Sequence, residues 1–242
     1  MKERPQSIEN RWDILYRDYP EVYDEFANVP YTPRMIDVLH EKFDLKGKTI
    51  ADIGSGSGRS TLLLAEYAEH VIGVEPEKAM REEAFKNTAE AGLTNVVYVD
   101  GRGEEIPLDD DSVDMVVAIT ATMYPPEKVI PLFIREARRV VKPGGLIVSI
   151  DVAPGWYGGE LVGIIDDPDA DVDLCAKHQC FVDYAGFDFF DVVQTSHYGS
   201  LEKIIDTYGF IFGVKAIEHI KENNITSIKW TFRAYFEEVA SV

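Results

Sequence analysis

The chain has 242 residues, of which 45% are hydrophobic and 28% charged, and its formal net charge at pH 7 is −19. This length and composition are typical of one globular α/β domain with a sizeable core. The acidic excess argues against nucleic acid and anionic membrane surfaces as partners, since phosphate-rich surfaces attract basic proteins. No apolar run reaches the roughly 20 residues of a membrane-spanning helix, and the polar N-terminus lacks a signal-peptide core. We therefore expect a cytoplasmic protein without a membrane span.

The N-terminal segment is rich in spaced apolar and aromatic side chains. Residues 8–27 predict one or two helices lying over a sheet, and a further helix is predicted from Pro33 to Phe43. We assign residues 1–45 as an N-terminal helical cap within a single domain spanning residues 1–242.

From residue 49 onward, apolar runs alternate with segments of helical character. Such alternation predicts a doubly wound, Rossmann-like parallel sheet with helices on both faces. The predicted strands are Thr49–Ile53, His70–Val74, Val96–Val99, Val113–Ile119 and Leu146–Ile150, and the predicted helices are Arg59–Tyr67, Lys78–Ala91 and Pro126–Val140.

The loop after the first strand indicates the type of ligand. It contains glycine at positions 54, 56 and 58 and follows the acid Asp52. A dinucleotide fingerprint requires a further glycine where Arg59 stands, and a phosphate loop requires a lysine that the chain lacks here. A carboxylate at Asp52 repels a pyrophosphate and suits a cationic group. Glu75, at the end of the second strand, is placed to accept hydrogen bonds from ribose hydroxyls. These features fit S-adenosylmethionine, which combines an adenosine with positive charge and carries no phosphate.

Four motifs in order resemble the class I S-adenosylmethionine-dependent methyltransferases. More narrowly, residues 23–150 resemble the small-molecule group typified by the ubiquinone/menaquinone biosynthesis methyltransferases (methyltransferase type 11). The motifs are ADIGSGSG (51–58), GVEPEKAM (73–80), GRGEEIPLDDDSVDMVVA (101–118) and RVVKPGGLIVSID (139–151).

The resemblance implies a set of cofactor-binding residues. Met80 would flank the adenine, and Tyr23 would contact the methionine end. The group's usual aspartate contact to the adenine amine is replaced by Arg102, which cannot accept a hydrogen bond. The backbone of Gly103 and the carboxylate of Glu104 are expected to serve instead. The full predicted set is Tyr23, Asp52, Gly54, Ser55, Gly56, Glu75, Pro76, Met80, Gly103, Glu104, Ile119 and Thr120.

The C-terminal third departs from the strand–helix alternation. Residues 153–198 are rich in aromatic side chains and follow the fifth strand, which suggests a substrate lid. The alternative is a small helical insertion whose aromatics fill its own core. A helix is expected at Ser200–Tyr208. Two β-rich segments, Phe210–Ile220 and Ser227–Phe236, predict an antiparallel hairpin that completes a sheet of seven strands.

Neither a metal site nor a catalytic residue can be assigned from the sequence. Cys175, His178 and Cys180 are close in the chain but do not have a usual zinc spacing. Four side chains are candidates for a general base, although no spacing links them: His178, His197, Tyr157 and Asp151.

We therefore expect an enzyme that transfers a methyl group from S-adenosylmethionine to a small-molecule acceptor. Two alternatives are a nicotinamide-dependent oxidoreductase and a non-catalytic S-adenosylmethionine-binding protein on the same fold. Formation of a homodimer is left open.

Overall fold

A computed structural model of the chain describes residues 4–27, 32–121, 123–165 and 171–241. The chain divides into two compact units. The larger unit comprises Thr32–Pro154, Val172–Val192 and Phe232–Val242, and the smaller unit comprises Met1–Tyr31, Gly155–Asp171 and Val193–Thr231.

The described strands form one sheet of seven in the order β3-β2-β1-β4-β5-β7-β6. Strands β1 to β5 pair in parallel, and β7 runs antiparallel to β5. The expected fold class, a mostly parallel seven-stranded α/β sheet with antiparallel pairing at its C-terminal end, is confirmed. The strands are β1 (Thr49–Ile53), β2 (His70–Val74), β3 (Val96–Val99), β4 (Val113–Ile119), β5 (Val141–Val152), β6 (Asp188–His197) and β7 (Ser227–Glu238).

Helices connect the parallel strands and also make up much of the smaller unit. They are α1 (Trp12–Asp18), α2 (Pro20–Ala27), α3 (Thr32–Phe43), α4 (Arg59–Ala65), α5 (Lys78–Glu90), α6 (Pro126–Val140), α7 (Val172–His178), α8 (Leu201–Ile204), α9 (Phe210–Phe212) and α10 (Val214–Asn223). A π-helical turn extends α7 over Gln179–Tyr184, and another extends α8 over Ile205–Gly209. Within the described ranges, none of the helices combines the length and the apolar character needed to cross a bilayer.

The core of the larger unit forms where apolar strands meet the apolar side of α6. Strand β4 is buried along its length except at Asp114, as expected for a central parallel strand covered on both faces. Helix α6 buries Ile130, Phe133, Ile134 and Ala137, a spacing of three and four residues that places them on one helix face. This pattern fixes how α6 packs on the sheet.

Aromatic side chains dominate the core of the smaller unit. Phe212 contacts the rings of Trp12, Phe26 and Trp230 at centroid separations of 6.0, 6.0 and 6.3 Å. Tyr208 is fully buried, and its hydroxyl donates a hydrogen bond to the carbonyl oxygen of Gly158. Burial raises the pKa of this hydroxyl well above its usual value. In the smaller unit, these aromatics fill an internal core.

The predicted hairpin is wrong in its first strand, because residues 210–220 are helical. Ala216, Ile217 and Ile220 are buried on one side of α10. Their spacing has a helical period, although the apolar content of the segment had suggested a strand. Gly213, with φ of 110°, separates α9 from α10. The predicted helix at Ser200–Tyr208 corresponds to α8 and its π-helical extension.

The sixth strand lies instead inside the segment expected to form the lid. Strand β6 alternates buried and exposed positions, but its buried positions include Gln194 and Ser196, which are 8% and 0% exposed. Polar residues at inward positions hid the alternation that would have identified a strand. The segment 153–198 therefore contains a strand of the main sheet as well as α7.

A close approach between β2 and β3 leads to the first prediction. A Cβ added at Gly73 would lie 2.4 Å from Cδ1 of Tyr98 and 2.9 Å from Oγ of Ser55. We expect Gly73→Ala to lower the free energy of unfolding by about 1–3 kcal/mol, because an overpacked core must shift. Urea denaturation measures the change. Gly163→Ala is the matched control, since no described atom lies within 4 Å of its added Cβ. Equal stability of the two variants would show that the Tyr98 ring moves away at little cost.

Candidate functional site

The predicted site residues of the larger unit gather at the carboxyl edge of the parallel strands. Strands β3, β2, β1 and β4 are consecutive neighbours, so the loops that follow them lie side by side. The backbone amides of Gly54 and Ser55 donate to the carbonyl oxygen of Val74, at 2.8 and 3.3 Å, which joins the loop after β1 to the end of β2. Open α/β sheets bind ligands at this edge.

The glycine loop requires left-handed backbone at all three glycines. Gly54, Gly56 and Gly58 have φ of 72°, 55° and 88°, a region that favours glycine. An added Cβ would lie 2.9 Å from Cβ of Ala121 at Gly54 and 2.4 Å from Oη of Tyr98 at Gly58. At Gly56 no described atom lies within 4 Å of that position. Two of the glycines thus allow close packing, and Gly56 faces open space.

Glu75 joins the first two loops through its carboxylate. Its Oε2 accepts a hydrogen bond from the backbone amide of Gly56 at 2.9 Å, and its Oε1 accepts one from the amide of Glu77 at 2.9 Å. The residue is 7% exposed. Each carboxylate oxygen can accept a second bond, so the group keeps capacity for donors such as ribose hydroxyls.

Asp52 is buried beneath the same loop, with 1% of its surface exposed. Its Oδ2 accepts hydrogen bonds from the hydroxyls of Ser60 and Thr61, at 2.7 and 2.6 Å, and so ties the end of β1 to α4. Burial raises the pKa of the Asp52 carboxyl, and the two hydroxyl bonds oppose that shift.

Two polar atoms near this loop fit a cationic ligand. Oδ1 of Asp52 and Oγ of Ser55 are buried and have no hydrogen-bond partner among the described residues. Buried polar atoms are normally satisfied, so such atoms call for a donor from outside the chain or for water. Together with the open position at Gly56 and the Glu75 carboxylate, they fit a ligand with an ammonium group and a ribose. The residues present are therefore compatible with S-adenosylmethionine.

The other predicted contacts occupy the neighbouring strand ends. Pro76 is half-buried after β2, and Met80 is 46% exposed in the first turn of α5. Ile119 is buried at the end of β4, and Thr120, with φ of 49°, donates its backbone amide to the carbonyl oxygen of Ile150 at 2.7 Å. Thr120 therefore links the end of β4 to the end of β5.

The loop after β3 contains the unusual Arg102. This residue is exposed and pairs with Glu105 in an isolated antiparallel bridge, in which the amide of Glu105 donates to the carbonyl oxygen of Arg102. Gly103 and Glu104 form the half-buried tip of this turn. A Cβ at Gly103 would lie 3.2 Å from Ile53 and 3.3 Å from Phe133, so the tip packs closely on the core.

Sequence reasoning missed Arg81, a residue of α5 whose side chain is 15% exposed. Its guanidinium donates to the carbonyl oxygens of Glu75 and Pro76, at 2.6 and 2.8 Å, and to Oδ2 of Asp100 at 2.9 Å. The only available signal was a basic residue in the first turn of a helix, where the helix dipole disfavours it.

Tyr23 and two of the general-base candidates lie in the smaller unit. Tyr23 is half-buried in α2. The Tyr157 hydroxyl donates to Oδ1 of Asn10 at 2.6 Å and accepts from Nε1 of Trp12 at 2.7 Å, so its proton already has a partner. His197 is exposed at the end of β6.

The other two candidates, Asp151 and His178, lie in the larger unit. Oδ2 of Asp151 forms an ion pair with Nζ of Lys177, and its Oδ1 accepts its neighbour's amide. The His178 ring packs against Phe189 and Tyr235, with Nδ1 3.4 Å from Nη1 of Arg233. Both are held by neighbouring side chains, and neither is shown to act as a base.

The cysteine segment shows no assembled metal site. Cys175 is exposed and Cys180 is buried. Across the part of the chain that the structure describes, no three or more histidine, cysteine, aspartate or glutamate side chains gather as a metal site would require.

Comparison with known proteins finds similarity to methyltransferases. A family described as "Methyltransferase domain" matches residues 50–145. An uncharacterized methyltransferase of Mycobacterium tuberculosis is 34% identical over 145 residues, which cover 57% of this chain and 55% of the relative. A demethylmenaquinone methyltransferase of Listeria monocytogenes is 31% identical over 118 residues, which cover 46% of this chain and 49% of the relative. The chain thus spans about half the length of these curated relatives.

Solved structures share the fold. The YcgJ protein of Bacillus subtilis is 19% identical, with a TM-score of 0.58 over 86% of this chain and 98% of its own. A SAM-dependent methyltransferase from Aquifex aeolicus is 18% identical, with a TM-score of 0.58 over 91% of this chain and 98% of its own.

The buried Asp52 leads to a pH-dependent prediction. Because its pKa is raised above the ordinary 3.8, the folded state binds this proton more tightly than the unfolded chain does. That contribution to stability is complete below pH 3.8 and is lost as the pH rises through the folded-state pKa. Asp52→Asn stays neutral and still accepts hydrogen bonds. We therefore expect the unfolding free energy of Asp52→Asn, relative to that of the wild type, to increase as the pH rises from 3.8 toward 7. Urea denaturation at several pH values measures this difference.

Asp52→Ala is the contrasting variant. It leaves the buried hydroxyls of Ser60 and Thr61 without this acceptor. We expect the free energy of unfolding to fall by about 1–3 kcal/mol for each hydroxyl at any pH. If the wild type instead gained stability over Asp52→Asn with rising pH, the carboxylate would be favoured in its ionised form.

Proposed function

We propose that this chain is a class I S-adenosylmethionine-dependent methyltransferase that transfers a methyl group to a small molecule, and the match of residues 50–145 to the methyltransferase domain family supports this proposal. The observation that carries the proposal is the buried Glu75 carboxylate, held by the amides of Gly56 and Glu77 at the edge where α/β sheets bind nucleotides.

The donor would be held mainly by loops of the larger unit. We assign the ribose hydroxyls to Glu75 and the amino group to Oδ1 of Asp52 and its loop. When bound, S-adenosylmethionine supplies an electrophilic methyl group on a sulfonium. The adenine is assigned to Met80 and the turn at Gly103. The remaining assigned contacts of the larger unit are Gly54, Ser55, Gly56, Pro76, Glu104, Ile119 and Thr120.

The contribution of the chain to the reaction would be alignment and exclusion of water. Holding donor and acceptor together replaces a bimolecular encounter with an oriented one, which can account for a large part of a rate enhancement. Asp151 and His178 are both engaged by neighbouring side chains, so the proposal includes no dedicated base.

A small acceptor is favoured by charge. At −19, the chain repels nucleic acid and suits a neutral, aromatic or cationic molecule. Selection of the acceptor is proposed for the aromatic-rich residues 153–198, which follow β5 directly along the chain. Turnover on phenols, quinols and amines distinguishes this enzyme from a non-catalytic binding protein, which would bind the donor and transfer nothing.

The donor site is tested by Glu75→Gln. The amide replaces one acceptor oxygen with an NH2 donor, and it removes the negative charge. This donor faces either a backbone amide, which is also a donor, or a ribose hydroxyl that had donated to the carboxylate. We expect the Kd for S-adenosylhomocysteine, measured by calorimetry, to rise about 10- to 100-fold, since a hydrogen bond to a charged group contributes about 1.5–3 kcal/mol.

Glu82→Gln is the matched control. Glu82 is an exposed acid on α5 that forms a surface ion pair with Lys78, and its replacement should leave the affinity unchanged. NAD is titrated in parallel. Micromolar binding of NAD by a wild type that does not bind S-adenosylhomocysteine would replace the proposal with the oxidoreductase alternative.

A further inference from the structure

Arg81 binds the main chain that carries Glu75. Nη1 of Arg81 donates to the carbonyl oxygens of Glu75 and Pro76 at 2.6 and 2.8 Å, and Nη2 donates to Oδ2 of Asp100 at 2.9 Å. Glu75 directly follows β2, and Asp100 directly follows β3. One guanidinium therefore ties together two strand ends at the edge of the candidate site.

These contacts offset an unfavourable local position. Arg81 lies in the first turn of α5, where the partial positive charge of the helix N-terminus opposes a cation. Its side chain is also mostly buried, whereas the partner carboxylate of Asp100 is 72% exposed and so contributes little through its charge. The main interaction is thus with the two carbonyl oxygens, which both accept from Nη1, while Nη2 of the same planar group reaches Asp100.

Glu75 is consequently held both at its backbone and at its side chain. Arg81 holds its backbone carbonyl, and the amides of Gly56 and Glu77 hold its side-chain oxygens. Without the guanidinium, the turn at Glu75–Pro76 loses the only side-chain donor that the described residues supply to these carbonyls. The Glu75 carboxylate would then sample orientations in which it no longer points at the ribose hydroxyls of a bound donor.

We propose that Arg81 is a positioning residue for donor recognition, which holds the Glu75 carboxylate in the orientation that binds a ribose diol. The proposal rests on the proposed function and adds to it a residue that does not itself touch the donor. Because Arg81 acts on the donor through the Glu75–Pro76 turn, its loss should weaken donor binding and the discrimination between ribose and deoxyribose. The rate constant at saturating donor should change little.

The test compares two probes by calorimetry, S-adenosylhomocysteine and its 2′-deoxyribose analogue. We expect wild type to prefer the ribose form about tenfold, the size of one charge-assisted hydrogen bond. In Arg81→Met, the Kd for S-adenosylhomocysteine should rise about tenfold and the preference should fall below about threefold. Arg81→Lys keeps the charge and the aliphatic stem but not the fork, so both values should lie between those of wild type and Arg81→Met.

Lys86→Met is the matched control, because Lys86 is an exposed cation of the same helix that pairs with Glu83. It should change neither affinity nor preference. If Arg81→Met does not fold, Arg81→Lys decides the result, since it retains most of the packing of the side chain.

The outcomes separate the two proposals. Failure of wild type to bind S-adenosylhomocysteine overturns the proposed function itself. If wild type binds with a ribose preference that Glu75→Gln removes, but the Arg81 variants keep that preference, the role of Arg81 is overturned and the function stands. Weaker binding of both probes by an equal factor also overturns it, since that result indicates a general structural role.

Discussion

The hydrogen bond between the Gly56 amide and the Glu75 carboxylate is the contact on which the candidate site depends. It joins the loop after β1 to the end of β2, and it can form only because the parallel register sets Ile53 beside Val74. The backbone at Gly56 is left-handed, a conformation that favours glycine, and its amide donates to the carboxylate. Strand register, loop conformation and ligand contact are therefore determined together.

The two buried acids at this edge accept hydrogen bonds from different kinds of donor. Glu75 accepts backbone amides, which are fixed dipoles that cannot rotate away from the carboxylate. Among the described residues, Asp52 accepts hydrogen bonds from two hydroxyls, and burial raises its pKa despite them. A ligand cation near Oδ1 of Asp52 would favour the ionised form and lower that pKa. Donor binding and the protonation state of Asp52 would then be thermodynamically linked, as any charge-coupled pair must be.

The sequence predicted the central sheet well because its strands are short and mostly apolar. Strands β2, β3 and β4 and helix α6 begin and end at the predicted residues. Strand β6 was missed, since Gln194 and Ser196 occupy its buried positions, and residues 210–220 were assigned to a strand although they bury one helical face. Short apolar segments are compatible with the period of a helix and with that of a strand, and tertiary packing decides which structure forms.

The sequence marked candidate site residues at or just after strand ends. Asp52 lies one residue before the end of β1 and Glu75 directly follows β2, and their roles in donor binding stay predictions. Arg81 left no comparable signal, because two of its three acceptors are main-chain carbonyls and any residue type presents those. The same property makes the arrangement robust, since substitutions at Pro76 or Glu77 leave a carbonyl or an amide in place. Recognition built from backbone groups at fixed register constrains few side chains. The residues around it can therefore vary, while the Glu75 carboxylate and the guanidinium that positions it cannot be exchanged without loss.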